Sequence, residues 1–526
     1  MAKRKRGAAE AAGQPRAPKS RKEELAIHPA KATAPPNASP STVASEGRAR
    51  VVDQVAKSGD AQFETTTIQV VTGSYERVLH GFAAAIPQTI VTGSSSASTP
   101  EAEQAKVDFT DTFLFNAHAS SIRCLAISPT SDETSKVTLA TGSTDERINL
   151  YSISTVPPRM ASKNKLKLPS LHGGSITENP KNKELGSLLH HASNITALYF
   201  PTRSKLLSSA EDSTIAITRT RDWTALSTIK APIPKPQGRP SGDTAGPGEV
   251  PAGINDFAVH PSMKLMVSVG KGEKCMRLWN LVTGKKAGVL NFGRDILTAV
   301  GEGRFGTGEG RRVIWGQEGE EFAVGFERGV VVFNIDSKPK GKILPLPRTK
   351  IHQMHYLPSK SRPATLLVST EDGRILLYDT NTTSAQDGTE ADKSKDDIPS
   401  SRLVAQMAGP AAGISGRVKD FEIIPTSTTT TYLIVTGSSD GTVRFWALHE
   451  EDLNDDTDAA KSKEGFEARQ VGRLLGSYST GTRITCLKAF AMTGKQDDGE
   501  EEEVVMKEVV DSSEDDGEET GSESIH

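Results

Sequence analysis

The feature that most constrains the fold is a short unit that recurs along the chain, seen best in TGSSDGTVRFW at residues 436–446. In this unit an acidic residue stands six positions before an aromatic residue, with a turn and an apolar run between them. Alignment on the unit finds seven copies in order, of which the third has a threonine at the aromatic position. The paired positions are Glu76 and Phe82, Asp145 and Tyr151, Asp212 and Thr218, Glu273 and Trp279, Glu327 and Phe333, Asp372 and Tyr378, and Asp440 and Trp446.

The residues around the repeats predict that each unit is one four-stranded antiparallel sheet. An apolar run such as INDFAVHPS precedes a copy, and another such as KKAGVLNF follows it. Short runs of Val, Ile, Leu and Thr separated by Gly, Asp, Asn and Ser are typical of strands joined by tight turns. Successive sheets of this kind predict an all-β fold, a seven-bladed β-propeller.

The two ends of the repeat region predict how the propeller closes. No apolar run precedes the first repeat at 68–82, whereas 483–492 resembles a leading strand with no repeat after it. We therefore expect residues 484–491 to complete the first blade, because closing the ring removes exposed sheet edges. Truncation near residue 480 is then expected to destabilise the whole domain.

Composition divides the chain into three parts. Residues 1–65 form a predicted disordered basic arm, 66–492 the propeller, and 493–526 a predicted disordered acidic tail. Residues 1–50 hold eleven Lys and Arg against four Asp and Glu, and 495–526 hold fourteen Asp and Glu against two Lys. Polar stretches near 155–184, 231–251 and 381–400 are predicted to be exposed loops inserted between strands.

Two basic clusters in the N-terminal arm have the spacing of a two-part nuclear import signal. The alternative is a basic arm without a specific receptor. The candidate import residues are Lys3, Arg4, Lys5, Arg6, Lys19, Arg21 and Lys22.

Several classes of protein receive no support from the sequence. The chain has no apolar run near the ~18 residues that span a bilayer, and its first residues lack the apolar stretch of a secretory signal. Three scattered cysteines do not make a disulfide framework or a metal site and indicate a reducing compartment. The stretch GKGEK at 270–274 lacks the pattern of a phosphate-binding loop and is predicted to be a hairpin turn.

The repeats resemble those of WD-repeat propellers over residues 67–492, although two turns alone keep Asp-Gly and none keeps a Trp-Asp pair. Residues 254–292 and 311–336 resemble the p21-activated-kinase-interacting WD-repeat proteins more closely. That family includes fungal members required for assembly of the large ribosomal subunit. The resemblance implies a structural role in the repeats for His118, Asp145, His191, Asp212, Glu273, Trp279, Asp372, Asp440 and Trp446.

Two histidines could be read as parts of a catalytic site. His118 and His191 precede leading strands, with Asp145 and Asp212 in the following turns, and a Ser-His-Asp arrangement could include Ser120 or Ser193. The resemblance implies instead that each histidine bonds the aspartate of its own repeat. Because the same constellation occurs in two blades, we favour the structural interpretation.

One face of the predicted propeller collects basic residues. The turn at 271–274 and the glycine-rich connection at 293–312 lie on the same face of an antiparallel meander. We hypothesise that this face contacts rRNA phosphate or an acidic partner segment; the alternative is a mixed surface, because Glu273, Asp295, Glu302 and Glu309 lie among them. The candidate residues are Lys271, Lys274, Arg294, Arg304, Arg311 and Arg312.

The sequence predicts a nuclear and nucleolar scaffold without catalytic activity, cofactor, metal or small-molecule substrate, acting in assembly of the large (60S) ribosomal subunit. Its expected partners are pre-60S ribosomal proteins and assembly factors, with rRNA as a further candidate and no membrane. The first alternative is a signalling adaptor that negatively regulates a p21-activated kinase. The second is a hydrolase or nucleotide-using enzyme, for which we find no convergent site.

Overall fold

The computed structural model describes residues 65–92, 106–131, 134–158, 176, 179–233, 252–302, 306–383, 398–414, 416–426, 430–454 and 465–494. Within these residues the chain is almost entirely β, with two short helices, α1 (Gln88–Thr92) and α2 (Arg294–Ala299). Predictions for residues 1–64 and 495–526 lie outside this range, including those for the import residues, and so does the prediction for Arg304. Each predicted insertion also lies partly or wholly outside it.

The strands form seven antiparallel sheets of four, each a blade of the propeller, and the strand order in each sheet runs outward from the central axis. The first four blades are as follows. Blade 1 contains β1 (Thr65–Ser74), β2 (Val78–Pro87), β3 (Asp108–Asn116) and the last strand, β28 (Ile484–Ala491); blade 2 contains β4 (Ile122–Ile127), β5 (Lys136–Ser143), β6 (Ile148–Ser154) and β7 (Lys183–Leu188); blade 3 contains β8 (Ile195–Thr202), β9 (Lys205–Ala210), β10 (Thr214–Arg219) and β11 (Ala225–Lys230); blade 4 contains β12 (Ile254–Val259), β13 (Leu265–Gly270), β14 (Cys275–Asn280) and β15 (Lys285–Asn291).

The remaining three blades repeat the pattern. Blade 5 contains β16 (Arg312–Trp315), β17 (Glu321–Gly325), β18 (Val330–Asn334) and β19 (Pro339–Ile343); blade 6 contains β20 (Ile351–Tyr356), β21 (Thr365–Thr370), β22 (Arg374–Thr383) and β23 (Ser401–Ala408); blade 7 contains β24 (Val418–Pro425), β25 (Thr431–Ser438), β26 (Thr442–His449) and β27 (Arg473–Ser479). The innermost strands β28, β4, β8, β12, β16, β20 and β24 contact one another in this order and form a closed ring.

The closure expected for 484–491 is confirmed. Strand β28 pairs antiparallel with β1, from Ile68 opposite Ala491 to Ser74 opposite Ile484. The chain therefore joins its first and last strands in one blade, with the last strand innermost. With β28 in place every blade has four strands, and the two ends of the repeat region are held together by the backbone hydrogen bonds between β1 and β28.

The core lies between neighbouring blades. In β25, Leu433 and Val435 pack towards blade 1, whereas Tyr432 and Ile434 pack towards blade 6. Because successive side chains of a strand point to opposite faces, a blade that is covered on both sides needs apolar residues at consecutive positions. This explains why the repeats read as continuous apolar runs rather than as an alternating pattern.

The structure adds two local details. The connection 293–312 contains α2, because Ile296 and Ala299 are spaced to lie on one side of a helix and pack on the core of blades 4 and 5. At the edges of the predicted insertions, β22 extends to Thr383 and β7 begins at Lys183. The turn at 271–274 does join β13 to β14, as expected for a hairpin.

Candidate functional site

The turn between the second and third strands of a blade is held by its acidic residue. In blade 2, Asp145 accepts hydrogen bonds from the backbone amides of Ala119 (2.9 Å) and Arg147 (3.1 Å). His118 Nδ1 lies 3.0 Å from Asp145 Oδ2, and His118 Nε2 lies 2.7 Å from the Thr141 hydroxyl. The histidine thus links the connection before the blade to the turn and the second strand.

Blade 3 contains the same arrangement. His191 Nδ1 lies 3.2 Å from Asp212 Oδ2, and its Nε2 lies 2.8 Å from the Ser208 hydroxyl. Burial would raise the pKa of the Asp212 carboxyl, but hydrogen bonds with His191 and Thr214 outweigh it and hold that pKa well below its usual value. The expected histidine–aspartate bonds are therefore present in both blades.

The bonds of these histidines argue against the catalytic alternative. Both ring nitrogens of His118 are engaged within the blade, and the Ser120 hydroxyl lies 2.5 Å from the Thr144 hydroxyl instead. A catalytic histidine bonds a nucleophile that a substrate can reach, whereas the hydroxyls on Nε2 of His118 and His191 belong to the buried residues Thr141 and Ser208.

Three other blades use arginine where blades 2 and 3 use histidine. Glu273 binds Arg277, Asp440 Oδ2 lies 3.2 Å from Arg444, and Asp372 Oδ2 lies 2.7 Å from Arg374. The sequence reasoning missed these arginines. The signal was available, because a strand alternates and an arginine two or four residues after the acid lies on the same face of the third strand.

The predicted aromatic positions also bond to the second strand. Trp279 Nε1 donates to the Ser268 hydroxyl (2.8 Å), and Trp446 Nε1 donates to the Thr436 hydroxyl (3.4 Å). Both indoles are buried, and a buried N–H needs an acceptor. Each tryptophan therefore packs between blades and fixes the spacing of two strands in its own blade.

The predicted basic face is brought together only in part. Lys274 lies against Gly308 of the glycine-rich connection, while Lys271 Nζ lies 3.6 Å from Glu211 and Arg311 lies 3.6 Å from Glu327. Glu309 also accepts a hydrogen bond from the amide of Gly272 (2.7 Å). Much of the positive charge is thus balanced locally, as in the alternative of a mixed surface.

Two members of the predicted face have other surroundings. Arg294 is exposed on α2. Arg312 opens β16 at the central channel, where it lies 3.9 Å from Asp256 and donates to the backbone carbonyl of His352 (3.1 Å).

The innermost strands enclose a central channel with a cavity of about 560 Å³. Its carboxylates connect neighbouring blades: Asp420 accepts a bond from the Leu487 amide (2.9 Å), and Asp256 accepts one from the Val313 amide (3.1 Å). Lys488 forms an ion pair with Glu422 of the adjacent blade. These bonds join the inner strands edge to edge, where sheet pairing is lacking.

The thiols of the channel and His355 are held in their neutral forms. Burial raises the pKa of the Cys124 thiol to about 12 and also raises the pKa of Cys486. Burial, assisted by Lys488, lowers the pKa of His355 to about 3. At neutral pH the thiols are protonated and therefore poor nucleophiles, since the thiolate is the reactive form.

A cluster of cations surrounds one side of the channel opening and was not predicted. We call it the basic mouth; it consists of Arg123, Lys350, Arg417, Lys419 and Arg483. These residues begin or directly precede the innermost strands β4, β20, β24 and β28. Backbone bonds set their position, because the carbonyls of Lys350, Arg417 and Arg483 accept from turn amides of their own blades.

The fold and these contacts agree with the comparison to known families. A profile described as "WD domain, G-beta repeat" matches residues 109–152 and 415–447. The chain is a WD-repeat β-propeller. The two matches fall on blades 1 and 2 and on blade 7, and the other blades carry the degenerate repeats described above.

Curated relatives extend the similarity over most of the chain. A Xenopus laevis protein named "p21-activated protein kinase-interacting protein 1-like" is 25% identical over 430 residues, covering 81% of this chain and 83% of the relative. A Danio rerio protein of the same name is 24% identical over 80% of each chain. "Protein MAK11" of Saccharomyces cerevisiae is 28% identical over 403 residues, covering 72% and 78%. The resemblance to the p21-activated-kinase-interacting proteins is confirmed.

No helix among the described residues is long and apolar enough to cross a membrane. In the same part of the chain, no three His, Cys, Asp or Glu side chains are grouped so that they could hold a metal ion.

Proposed function

We propose that this WD-repeat propeller is a non-catalytic scaffold in assembly of the large ribosomal subunit, where it binds pre-60S proteins. The observation that carries the proposal is the closed ring of seven blades, which displays turns and connections of all blades on one rigid face. Binding residues on loops held by a rigid framework are typical of such platforms. The ribosomal role rests on the family resemblance, and the basic and acidic ends of the chain agree with it.

Two features of the site support a non-catalytic role. The histidines beside Asp145 and Asp212 use both ring nitrogens within their blades, and burial keeps the channel thiols protonated. Neither set provides an activated nucleophile that a substrate could reach, since the hydroxyls bonded to the two histidines belong to the buried residues Thr141 and Ser208. We further propose a nuclear and nucleolar location, which the basic clusters at 3–6 and 19–22 support.

The experiment is a tagged pull-down from native nuclei at moderate salt, with identification of both RNA and protein in the eluate. We expect precursor large-subunit rRNA together with ribosomal proteins. A tagged chain that ends at residue 480 is the control, because it lacks β28 and cannot close the ring. An eluate without precursor rRNA or ribosomal proteins would contradict the proposal.

A second candidate is a signalling adaptor that binds a p21-activated kinase. It is favoured by the printed names of the Xenopus and Danio relatives. The same pull-down separates the two, since the adaptor predicts a kinase in the eluate without rRNA. Charge reversal at Lys271, Lys274, Arg311 and Arg312 tests direct rRNA contact, which requires a reduced salt dependence of RNA binding in the variant.

A further inference from the structure

Two of the five cations of the basic mouth form an ion pair with a carboxylate of the described residues, and the nearby Glu76 carboxylate accepts from the backbone amide of Arg483 (3.0 Å) rather than from its guanidinium. Lys350 Nζ lies 3.0 Å from Glu327, and Arg417 lies 3.2 Å from Glu371. Arg123, Lys419 and Arg483 form no ion pair with a carboxylate of the described residues. They come from β4, β24 and the start of β28, which are neighbours in the inner ring, so the three unpaired cations form one continuous arc.

Local contacts show that these cations are crowded rather than dispersed. Lys419 Nζ lies 3.4 Å from His352 Nε2. Burial lowers the pKa of Lys419, and the nearby charges of Arg417, Arg483 and Lys350 lower it further, against an opposing effect of Glu371. The arc therefore raises the free energy of the isolated protein, and a bound anion would relieve this repulsion.

The shape of the arc favours a peptide over RNA. Single-stranded RNA is bound by a basic groove with several aromatic side chains on which bases stack. At the mouth, Tyr75 is the exposed aromatic, and the Arg483 guanidinium already lies over its ring at 5.7 Å. Flexible carboxylates along one peptide can each reach a cation of the arc, and arginine binds a carboxylate through two parallel hydrogen bonds.

The course of the chain favours a peptide from another protein over the acidic segment of this one. Strand β28 starts at the mouth with Ile484 and runs away from it to Ala491. The Gly494 amide then donates to the carbonyl of Thr155, just after the end of β6. Since β6 starts at the turn of its blade, the chain leaves the ring on the face opposite the mouth.

We propose that the basic mouth binds an Asp- and Glu-rich segment of a partner protein, with Arg123, Lys419 and Arg483 as the contacts. This inference rests on the proposed scaffold role and names the chemistry of one partner. It also places the main charged binding surface at blades 6, 7, 1 and 2, rather than at blades 4 and 5.

The test measures binding of a short fluorescein-labelled peptide of alternating Glu and Ser by anisotropy, with the full chain. The same peptide with Gln in place of Glu, and an oligouridylate of equal length, serve as competitors. We expect saturable binding of the Glu peptide that weakens as salt rises from about 0.1 to 0.3 M, because salt screens charges that solvent can reach. The Gln peptide is expected not to compete.

Matched variants locate the site. Lys419→Glu with Arg483→Glu should weaken Glu-peptide binding by about tenfold or more, the usual effect of losing close charge pairs. Lys285→Glu with Lys286→Glu makes the same change in charge on the exposed hairpin of blade 4, at the opposite face, and should leave binding unchanged. Equal losses in both variants, or no binding by the wild type, would overturn the proposal.

Two further readouts address the rival ligands. Stronger competition by oligouridylate than by the Glu peptide would show that the mouth binds RNA and overturn the inference. A chain with Asn and Gln replacing the acids of 495–526 should bind the peptide as the wild type does. A gain of about tenfold, or ~1.4 kcal/mol, in that chain would mean that its own acidic segment occupies the mouth.

The outcomes separate this inference from the proposed function. If Lys419→Glu with Arg483→Glu loses the peptide but still recovers precursor rRNA from nuclei, the scaffold role stands and an acidic partner at the mouth is not needed for it. If the wild type binds the peptide but recovers no precursor rRNA, the ribosomal role fails while the mouth remains a binding site.

Discussion

The carboxylate of Glu273 binds the guanidinium of Arg277 on the third strand of blade 4, and both side chains are buried. The pair takes the place of the histidine bond of blades 2 and 3, and the Lys271 amide of the same turn donates to the carbonyl of Gly253 in the preceding connection (2.9 Å). Removing one member of a buried ion pair leaves the other charge without a partner.

We therefore predict that Glu273→Gln lowers the free energy of unfolding by roughly 3–5 kcal/mol. Chemical denaturation followed by tryptophan fluorescence measures the change. The control is Asp222→Asn, which breaks the exposed pair of Asp222 with Arg219 and should leave the unfolding midpoint unchanged. The double variant Glu273→Met with Arg277→Met should recover part of the loss, because neither charge is then left unpaired; no recovery would contradict this explanation.

Because β28 closes the ring, we predict that the stability of all seven blades depends on this last strand. A chain ending at residue 480 should lose cooperative unfolding, whereas one ending at 494 should unfold like the full chain. Leu487→Ala is a milder change of the same strand and should cost about 2–5 kcal/mol, because Leu487 is fully buried between blades 1 and 7. Thermal melts followed by circular dichroism measure the stability of the two truncated chains and of Leu487→Ala. A stable 1–480 chain would show that the ring does not need this strand.

We predict that position 81 in β2 must be a glycine, because the side chain opposite it leaves no room for a Cβ atom. A Cβ atom at Gly81 would lie 2.3 Å from Cζ of Phe113, its partner in β3 and a fully buried side chain. Gly81→Ala should destabilise the protein by about 1–3 kcal/mol, since a packed ring cannot move aside without strain. At Gly288, also a strand position, the nearest atom is 3.9 Å away, and Gly288→Ala should be neutral or slightly stabilising. Equal effects in thermal melts would contradict this account.

The order of blades and their closure followed from the sequence because each repeat carries its own local pattern. An acidic residue, a turn and a strand that ends on an aromatic residue recur along the chain. The apolar run at 483–492 had no repeat after it, and the first repeat had no apolar run before it, so the two could be matched. The histidine–aspartate bonds followed for the same reason, since both partners lie within one repeat.

The basic mouth could not be predicted in this way. Arg123, Lys419 and Arg483 are widely separated in sequence and belong to three blades, and they meet only because their strands are neighbours in the ring. The arginine partners of Glu273 and Asp440, by contrast, lie four residues after the acid, so strand alternation could have indicated them, although the resemblance offered no position for them. Long-range proximity is thus the part that depends on the assembled fold.

The histidines of the channel and of blade 2 predict loss of stability in mild acid. Burial lowers the pKa of His118; burial and Lys419 lower that of His352 to about 3, and burial and Lys488 lower that of His355 to about 3. A histidine with a lower pKa when folded binds a proton more readily when unfolded. The stability that depends on its neutral form is therefore present above the unfolded pKa of about 6.5 and is lost as the pH falls towards the folded pKa.

Comparison of the wild type with His355→Gln between about pH 6.5 and 5 isolates one of these residues, because carboxylates with lowered pKa values lose stability only below about pH 4. Over this interval the wild type should lose about 1–2 kcal/mol more than His355→Gln, as a glutamine takes up no proton. Urea unfolding at both pH values gives the difference. His190→Gln, at an exposed position, should keep the wild-type dependence. If His355→Gln also keeps it, the proton is bound elsewhere, and His355 does not contribute to the loss.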